Sequence, residues 1–426
     1  MSLMKTGALN GIAVAIKMTT LLVINKVLAI YVGPSGYAAL GQFQNAMQMI
    51  TTFASGAINT GVTKYTAEYH DDQGRQNAVW RTAGSVCVIG SVVSGVLICL
   101  LNEELAKLFL HDRQFGIVFI WFGCTLVLFT MNSLLLAVLN GRKEIGVYVL
   151  ANIVGSLLAL GMTTVMAVCY GLVGALIALA TYQAVAFLAT LLICMRRPWF
   201  AIGLFFGRTD FSVLKNLLKF TVMAFTAAVC MPTVQIMIRN EIGREFGWEY
   251  SGYWEAMLRL STAYLMFVTT TLSVYYLPRL SELLSFDDIK LELRQAYKII
   301  IPFTALCGIS IYLFRDLIIT ILFTDKFLPM RELFALQMIG DCLKICTWLL
   351  SYVLLSKAMY KEFVIIEISF AVFYYFAAII LMKMIGIEGS IVAYVLSYGV
   401  FFPLSWLFIR SGMRRINGNA VTGTLV

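Results

Sequence analysis

Apolar runs of about 20 residues follow one another along almost the whole chain, separated by short polar loops. The 426 residues are 60% hydrophobic and only 13% charged, with a mean hydropathy of +0.85. Soluble domains carry about 25% charged residues, so this composition indicates a multi-spanning membrane protein. Runs of this length favour helices over membrane β-strands, which alternate over roughly 10 residues. We therefore expect an all-α membrane protein.

The runs predict about twelve transmembrane helices, each near the roughly 20 residues that cross a bilayer. The expected spans are 9–31, 38–62, 80–101, 116–139, 147–169, 172–195, 215–238, 252–278, 296–314, 331–355, 362–384 and 389–410. The longest link, residues 196–214, falls between the sixth and seventh spans. It predicts an N-terminal six-helix bundle over 1–195, a cytoplasmic linker over 196–214 and a C-terminal six-helix bundle over 215–426.

Two segments half a chain length apart support this division. Residues 36–72 and 252–288 both open on Gly-Tyr, run through an apolar segment and end on charged residues. At a nearly constant offset the matching charged pairs are Lys64 with Arg279, Glu68 with Glu282, and Asp71 with Asp287. A duplicated apolar unit of this size is typical of transporters built from two repeats.

Lysines and arginines lie mostly in loops on one side of the predicted membrane. Loops on the side of the two termini hold 20 of them and the opposite loops hold eight, including Arg239. Positive residues favour the cytoplasmic side, so we expect both termini in the cytoplasm. The net charge of +9 then reflects topology rather than nucleic-acid binding. Segments 63–79 and 279–295 on that side are expected to be amphipathic surface helices or solvated loops.

Ionisable residues also lie within the predicted spans, where each charge costs at least ~2.5–3.5 kcal/mol. They are Lys17, Lys26, Glu255, Arg259, Asp341, Lys344 and Glu367. The i,i+4 spacing of Glu255 and Arg259 allows an ion pair within one helix, and so does the i,i+3 spacing of Asp341 and Lys344. Lys17 has no acidic residue at these spacings and needs a partner on another helix or an anionic ligand.

If these residues face one cavity, four cations and three acids make it modestly electropositive. Such a cavity suits a phosphate-bearing substrate, and the guanidinium of Arg259 can bind two oxygens at once. Lys26 can instead snorkel to the interface, and Glu367 can simply reach water. Polar residues of the second span, among them Gln44 and Asn45, can hydrogen-bond sugars or hold helices together.

The chain lacks the motifs of common enzyme classes. No metalloprotease, phosphate-cradling or nucleophile-elbow motif is present, and the nine cysteines lie inside apolar runs. We therefore predict a transporter with no cofactor and no metal site. The enzyme alternative is a membrane glycosyltransferase or polymerase that uses Asp71-Asp72 and Asp287-Asp288. Their place at the ends of both repeats favours a structural role instead, such as helix capping.

Four stretches resemble the Wzx flippases of the multidrug/oligosaccharidyl-lipid/polysaccharide exporter superfamily. They are Gly33-Pro-Ser-Gly-Tyr-Ala-Ala-Leu40, the polar stretch 61–72, Leu277-Pro-Arg-Leu-Ser281 and Gly340-Asp-Cys-Leu-Lys344. The resemblance runs from the first span to the twelfth. It implies a bacterial inner-membrane protein of two six-helix bundles opening in a V. Its implied substrate is an undecaprenyl-diphosphate-linked oligosaccharide, from enterobacterial common antigen or an O-antigen, moved from the cytoplasmic to the periplasmic leaflet.

The resemblance places Lys64, Asp341 and Lys344 on family motif positions. We expect substrate binding by Lys17, Lys26, Arg259, Lys344, Gln44, Asn45 and Lys64. We expect proton or Na⁺ coupling through Glu255, Asp341 and Glu367, and alternating access by rocking about the 196–214 link. The polymerase and chain-length proteins of the same pathway are implied partners. The alternative in the superfamily is a drug or cation exporter, whose cavity would be net acidic.

Overall fold

A computed structural model describes the backbone of residues 3–422, with gaps at 208, 284 and 358. It describes side chains from residue 11 to residue 413, except at these gaps and at 216, 219, 220, 273, 274, 277 and 278. Over this range the protein is helical and has no strand, which confirms the expected all-α class. Its α-helices are α1 (Leu3–Tyr31), α2 (Gly33–Ala54), α3 (Asn59–Glu68), α4 (Gln73–Leu100), α5 (Asn102–Leu110), α6 (Gly116–Gly141), α7 (Ile145–Met195), α8 (Phe211–Glu245), α9 (Trp248–Thr271), α10 (Leu277–Glu282), α11 (Phe286–Leu313), α12 (Arg315–Leu322), α13 (Phe334–Ser356), α14 (Tyr360–Ile385) and α15 (Glu388–Thr422). Short 3-10 segments cover Arg113–Phe115, Ile202–Phe205 and Asp325–Leu333, and a π-helical turn covers Leu272–Tyr276.

Nine helical stretches of the described residues are long and apolar enough to cross a membrane. One of them, α7, is 51 residues long and is broken at Gly171, so it covers two expected spans, 147–169 and 172–195. Helices α2 and α9 cover most of the expected spans 38–62 and 252–278 but end earlier, at Ala54 and Thr271. The expected total of twelve spans and the cytoplasmic termini stay predictions.

The chain divides into two compact units, Met1–Ile236 and Met237–Val426, and the division falls within α8. The start of α8 packs in the first unit, where the Thr221 hydroxyl donates to the carbonyl of Gly56 at 2.9 Å. The order of helices suggests an earlier boundary, just before α8. From α8 onward, the chain repeats the order of helices and breaks that it shows from α1 onward. The boundary expected between the repeats at 196–214 stays a prediction.

Turn glycines recur at matching positions in the two halves. Gly33 is the first residue of α2 and Gly247 directly precedes α9, with φ of +72° and +103°. We call the displacement between these two glycines the repeat offset. Gly171 and Gly386, separated by nearly the same offset, join the last two long helical segments of each half with φ of +57° and +75°. Positive φ strains residues that carry a Cβ, which is why glycine stands at these turns. The break expected between the spans 147–169 and 172–195 is confirmed at Gly171.

A break, a short helix and a long helix follow one another in each half. The short helices are α3 and α10, and the long helices after them are capped by Asp72 and by Ser285. The expected capping role is therefore confirmed for Asp72, whereas Ser285 rather than Asp287 caps α11. The amphipathic segments expected at 63–79 and 279–295 are each divided between a short helix and the first turns of the long one.

Side-chain contacts hold the segment between α7 and α8 against other residues of the first unit. The indole N–H of Trp199 donates to Glu144, and the guanidinium of Arg142 lies 4.6 Å from the Trp199 ring centroid. The backbone N–H of Asp210 donates to the hydroxyl of Thr82 at 3.1 Å. The hydroxyl and the backbone N–H of Ser212 lower the pKa of the Asp210 carboxyl, because both stabilise its charged form.

Candidate functional site

A buried cluster of three charged residues, which we call the arginine cluster, lies in the second unit. Nη2 of Arg239 on α8 donates to Oε2 of Glu255 at 2.6 Å. One turn along α9, Nε of Arg259 donates to Oε1 of the same carboxylate at 2.9 Å. The exposed fractions of Arg239, Glu255 and Arg259 are 1%, 5% and 8%, so two cations and one anion lie almost out of contact with water. The expected pairing of Glu255 with Arg259 is confirmed.

Arg239 is the member of the arginine cluster that sequence reasoning missed. The expectation that it lies in an outer loop is wrong, because it lies within α8 with its guanidinium 5.5 Å from the Trp254 ring centroid. The hydroxyl of Ser251 donates to its backbone carbonyl at 2.5 Å. The sequence signal was weak, since Arg239 directly follows an apolar run and its carboxylate partner lies on another helix.

The carboxylate of Asp341 on α13 is fully buried among uncharged donors. Ser261 and Tyr264 donate to Oδ2 at 2.6 and 2.8 Å. Gln337 and Tyr394 donate to Oδ1 at 3.1 and 2.9 Å. These donors come from α9, α13 and α15, so the carboxylate joins three helices of the second unit.

The ion pair that the spacing of Asp341 and Lys344 allows does not form in the part of the chain that the structure describes. The ammonium of Lys344 lies instead 4.8 Å from the ring centroid of Trp348, one turn further along α13. Helical spacing allowed the pair, but the hydroxyls on neighbouring helices satisfy the carboxylate first.

The remaining predicted charges are spread over both units. In the first unit Lys17 is exposed on α1, Lys26 is half-buried on the same helix, and Lys64 is exposed on α3 with its ammonium 5.1 Å from the Tyr65 ring centroid. In the second unit Glu367 is half-buried on α14. The described contacts place none of these four in the arginine cluster or against Asp341.

A cavity of about 230 Å³ with a mixed polar and apolar lining lies beside α2 in the first unit. We call it the amide pocket; it is lined by Gln44, Met47, Gln48, Thr51, Phe129, Leu179 and Tyr182. The predicted sugar-binding residue Gln44 therefore lines a cavity. Asn45 does not, since it is 8% exposed and lies on the packed side of the same helix.

Comparison of the chain with known proteins identifies its family. Residues 3–284 match the family described as "Polysaccharide biosynthesis protein". The chain belongs to this family. It is also 29% identical to the lipid III flippase of Escherichia coli (strain K12) over 405 residues, which cover 95% of this chain and 97% of that protein. The lipid III flippase of Shigella flexneri gives the same values.

Solved structures of the MOP superfamily share the fold of this family member. A multidrug resistance MATE family transporter in an inward-facing conformation superposes with a TM-score of 0.73 at 15% identity, covering 93% of this chain and 96% of that one. A Vibrio cholerae MATE transporter gives a TM-score of 0.71 at 15% identity, covering 96% and 98%. A Pyrococcus furiosus MOP transporter gives 0.63 at 15% identity, covering 94% and 96%. At these identities the likeness concerns the fold alone, and it confirms the expected MOP-type membrane fold.

Proposed function

We propose that this protein is a flippase that moves an undecaprenyl-diphosphate-linked oligosaccharide across the bacterial inner membrane. The observation that carries the proposal is the similarity to two lipid III flippases over 95% of the chain, in a member of the polysaccharide biosynthesis family. The protein is a multi-pass transporter rather than an enzyme. It takes the head group from the cytoplasmic to the periplasmic leaflet by alternating access between two six-helix bundles, 1–195 and 215–426, joined by the 196–214 linker. The cargo is lipid III of enterobacterial common antigen or an O-antigen unit.

The arginine cluster supports an anionic head group. Two guanidiniums share one carboxylate, so the three residues together carry one net positive charge. A buried net charge is costly in a membrane protein and is usually tied to function. A diphosphate supplies the opposite charge, and guanidinium groups bind its oxygens in pairs. Arg259, the more exposed of the two arginines, is the residue assigned to the diphosphate.

Further contacts are assigned to cations and amides in both units. Lys344, Lys17, Lys26 and Lys64 guide or hold the anionic part of the lipid, and Gln44 binds the glycan, whereas Asn45 packs behind it. The undecaprenyl tail stays in the bilayer throughout. The polymerase and chain-length proteins of the same pathway receive the product on the periplasmic side.

Asp341 is the proposed coupling residue for protons or Na⁺. Its carboxylate is held by four uncharged donors, so it can gain a proton or a sodium ion without first losing an ion-pair partner. Glu255 and Glu367 are the other candidates, although Glu255 already bridges two guanidiniums. The membrane potential helps as well, because outward movement of an anion gains about 2.3 kcal/mol per charge per 100 mV.

Complementation of a strain that lacks its lipid III flippase tests the function. Wild-type protein should restore surface glycan, whose analysis identifies the cargo. The Arg259→Ala variant should insert normally and restore none, and Arg259→Lys should restore part. A MATE-like drug or cation exporter predicts the reverse pattern, namely drug resistance with no surface glycan, and that result would overturn the proposal.

A further inference from the structure

We infer that the amide pocket binds one uncharged sugar ring of the transported head group. The inference rests on the proposed flippase function and deepens it, because it separates a sugar subsite in the first unit from the diphosphate site assigned to Arg259. Four observations carry it: the size of the pocket, its uncharged lining, a fixed hydroxyl donor, and the contrast with the second unit.

The size of the pocket suits a single ring. Its volume of about 230 Å³ is below the roughly 300–1,000 Å³ that enclose drug-sized ligands. The lining residues are uncharged, so a uronate or a phosphate would enter without a counter-ion. Amide, hydroxyl and aromatic groups are what remains for recognition, and these bind neutral sugars by hydrogen bonds and by packing against the apolar face of the ring.

A relay of hydrogen bonds fixes the hydroxyl of Tyr182 as a donor. Nδ2 of Asn132, a residue only 2% exposed, donates to Oε1 of Gln183 at 2.6 Å. Nε2 of Gln183 then donates to the hydroxyl oxygen of Tyr182 at 3.1 Å. Because that oxygen already accepts, the phenolic proton is directed elsewhere, and the described part of the chain offers it no acceptor. A sugar oxygen in the pocket would supply one.

Helix α2 contributes complementary groups at i, i+4 and i+7. The side-chain amide of Gln48 is exposed and has no hydrogen-bond partner among the described residues, so it can both donate and accept. The hydroxyl of Thr51 donates to the carbonyl of Met47 at 2.7 Å, which leaves its lone pairs to accept from a ligand. With Phe129 as an apolar wall, the pocket presents donors and acceptors to the same space.

The second unit shows that the fold does not require these polar groups. At the repeat offset defined by Gly33 and Gly247, the polar residues Gln44, Gln48 and Thr51 correspond to Leu258, Thr262 and Leu265. In α9, the counterpart of α2, leucine therefore stands in place of Gln44 and of Thr51. The polar set is therefore specific to the first unit, as expected of a binding surface rather than a structural one.

Binding of defined lipids to the purified full-length protein in nanodiscs tests the inference. The probes are a short-chain prenyl diphosphate and the same lipid bearing one N-acetylglucosamine. Tyr182→Phe and Gln48→Ala should each weaken binding of the sugar-bearing probe about tenfold, since each loses a hydrogen bond to the sugar, and should leave the bare probe within about twofold. The matched control Tyr170→Phe, an exposed residue of α7 outside the pocket, should change neither.

The outcomes separate this inference from the proposed function. Equal wild-type affinity for the two probes, or an equal loss on both in Tyr182→Phe, would overturn the sugar subsite while leaving diphosphate recognition intact. A probe that carries glucuronic acid and binds more tightly than the N-acetylglucosamine probe would also overturn it, because the pocket would then favour charge. Wild-type protein that binds neither probe would overturn the flippase proposal and the subsite with it.

Discussion

The hydroxyl of Ser251 donates a hydrogen bond of 2.5 Å to the backbone carbonyl of Arg239. In the first unit Tyr37 makes the same bond, also 2.5 Å long, to the carbonyl of Asn25. Each bond joins residues 12 positions apart on consecutive helices. At the repeat offset, Tyr37 corresponds to Ser251 and Asn25 corresponds to Arg239. The halves therefore repeat a specific contact between their first and second helices as well as the order of their helices.

The arginine cluster belongs to only one of these repeats. At the same repeat offset its three members correspond to uncharged residues of the first unit: Asn25, Gly41 and Asn45. The first unit forms the same helix pair without charges at these three positions, so the charges of the arginine cluster are not needed to build it. Their burial is better explained by what the second unit binds.

The central carboxylate of the arginine cluster should be important for stability. Glu255→Gln leaves two buried guanidiniums without their shared anion, and we expect it to lower the free energy of unfolding by about 3–5 kcal/mol. Thermal unfolding in detergent measures the loss. The control is Glu245→Gln on α8, whose exposed ion pair with Arg244 should contribute less than about 1 kcal/mol. Similar effects of the two substitutions would contradict the account of a buried cluster.

The two turn glycines should be required for backbone reasons alone. Gly171 and Gly386 have φ/ψ of +57°/−134° and +75°/−157°, and a Cβ at either would meet no atom within 4 Å. Alanine at either site should cost about 1–3 kcal/mol, measured by thermal unfolding. Gly161→Ala in the helical part of α7 is the control, because it also has open space but ordinary helical angles, and it should be neutral or stabilising. Equal effects at Gly161 and Gly171 would refute the backbone explanation.

Coupling through Asp341 predicts a selective defect. Asp341→Asn keeps the size of the side chain but removes the charge that changes on proton or Na⁺ binding. We expect transport in proteoliposomes to lose its dependence on an imposed ion gradient, whereas Asp316→Asn, at the exposed start of α12, should keep it. A gradient dependence that survives in Asp341→Asn would exclude this residue as the coupling site.

The two lysines of α1 should differ in importance. Lys17 is exposed within the span Gly11–Tyr31, whereas Lys26 is half-buried and engaged within the protein. An ammonium that is exposed within a span is best placed to meet an anionic head group. Lys17→Ala should therefore reduce export of lipid-linked glycan in cells more than Lys26→Ala, and the opposite order would contradict that assignment.

Local patterns in the sequence were enough to predict most of the helices. Apolar runs of span length predicted the long helices, and the turn at Gly171 followed from two runs that meet at a glycine. The short helices α3 and α10 were less accessible, because their ends depend on individual capping residues such as Asp72 and Ser285 rather than on hydropathy.

The candidate site was predictable only where its contacts are local. Glu255 and Arg259 share one helix, so their spacing predicted the pair. Arg239 was missed because its carboxylate partner lies on the next helix. The pair that spacing allowed between Asp341 and Lys344 does not form, because hydroxyls from other helices reach the Asp341 carboxylate first. Spacing shows which residues can meet within one helix, whereas packing decides which of them do.

Flipping of a diphosphate-linked oligosaccharide in proteoliposomes tests the central claim most directly. Arg259→Ala leaves the neutral pair of Arg239 and Glu255 in place, so the variant should still fold and insert. It should flip the lipid at least about tenfold more slowly, because the net charge that binds the diphosphate is gone. Arg259→Lys, which restores a charge but not the paired donors, should recover part of the rate. A wild-type rate for a correctly folded Arg259→Ala variant would contradict the claim.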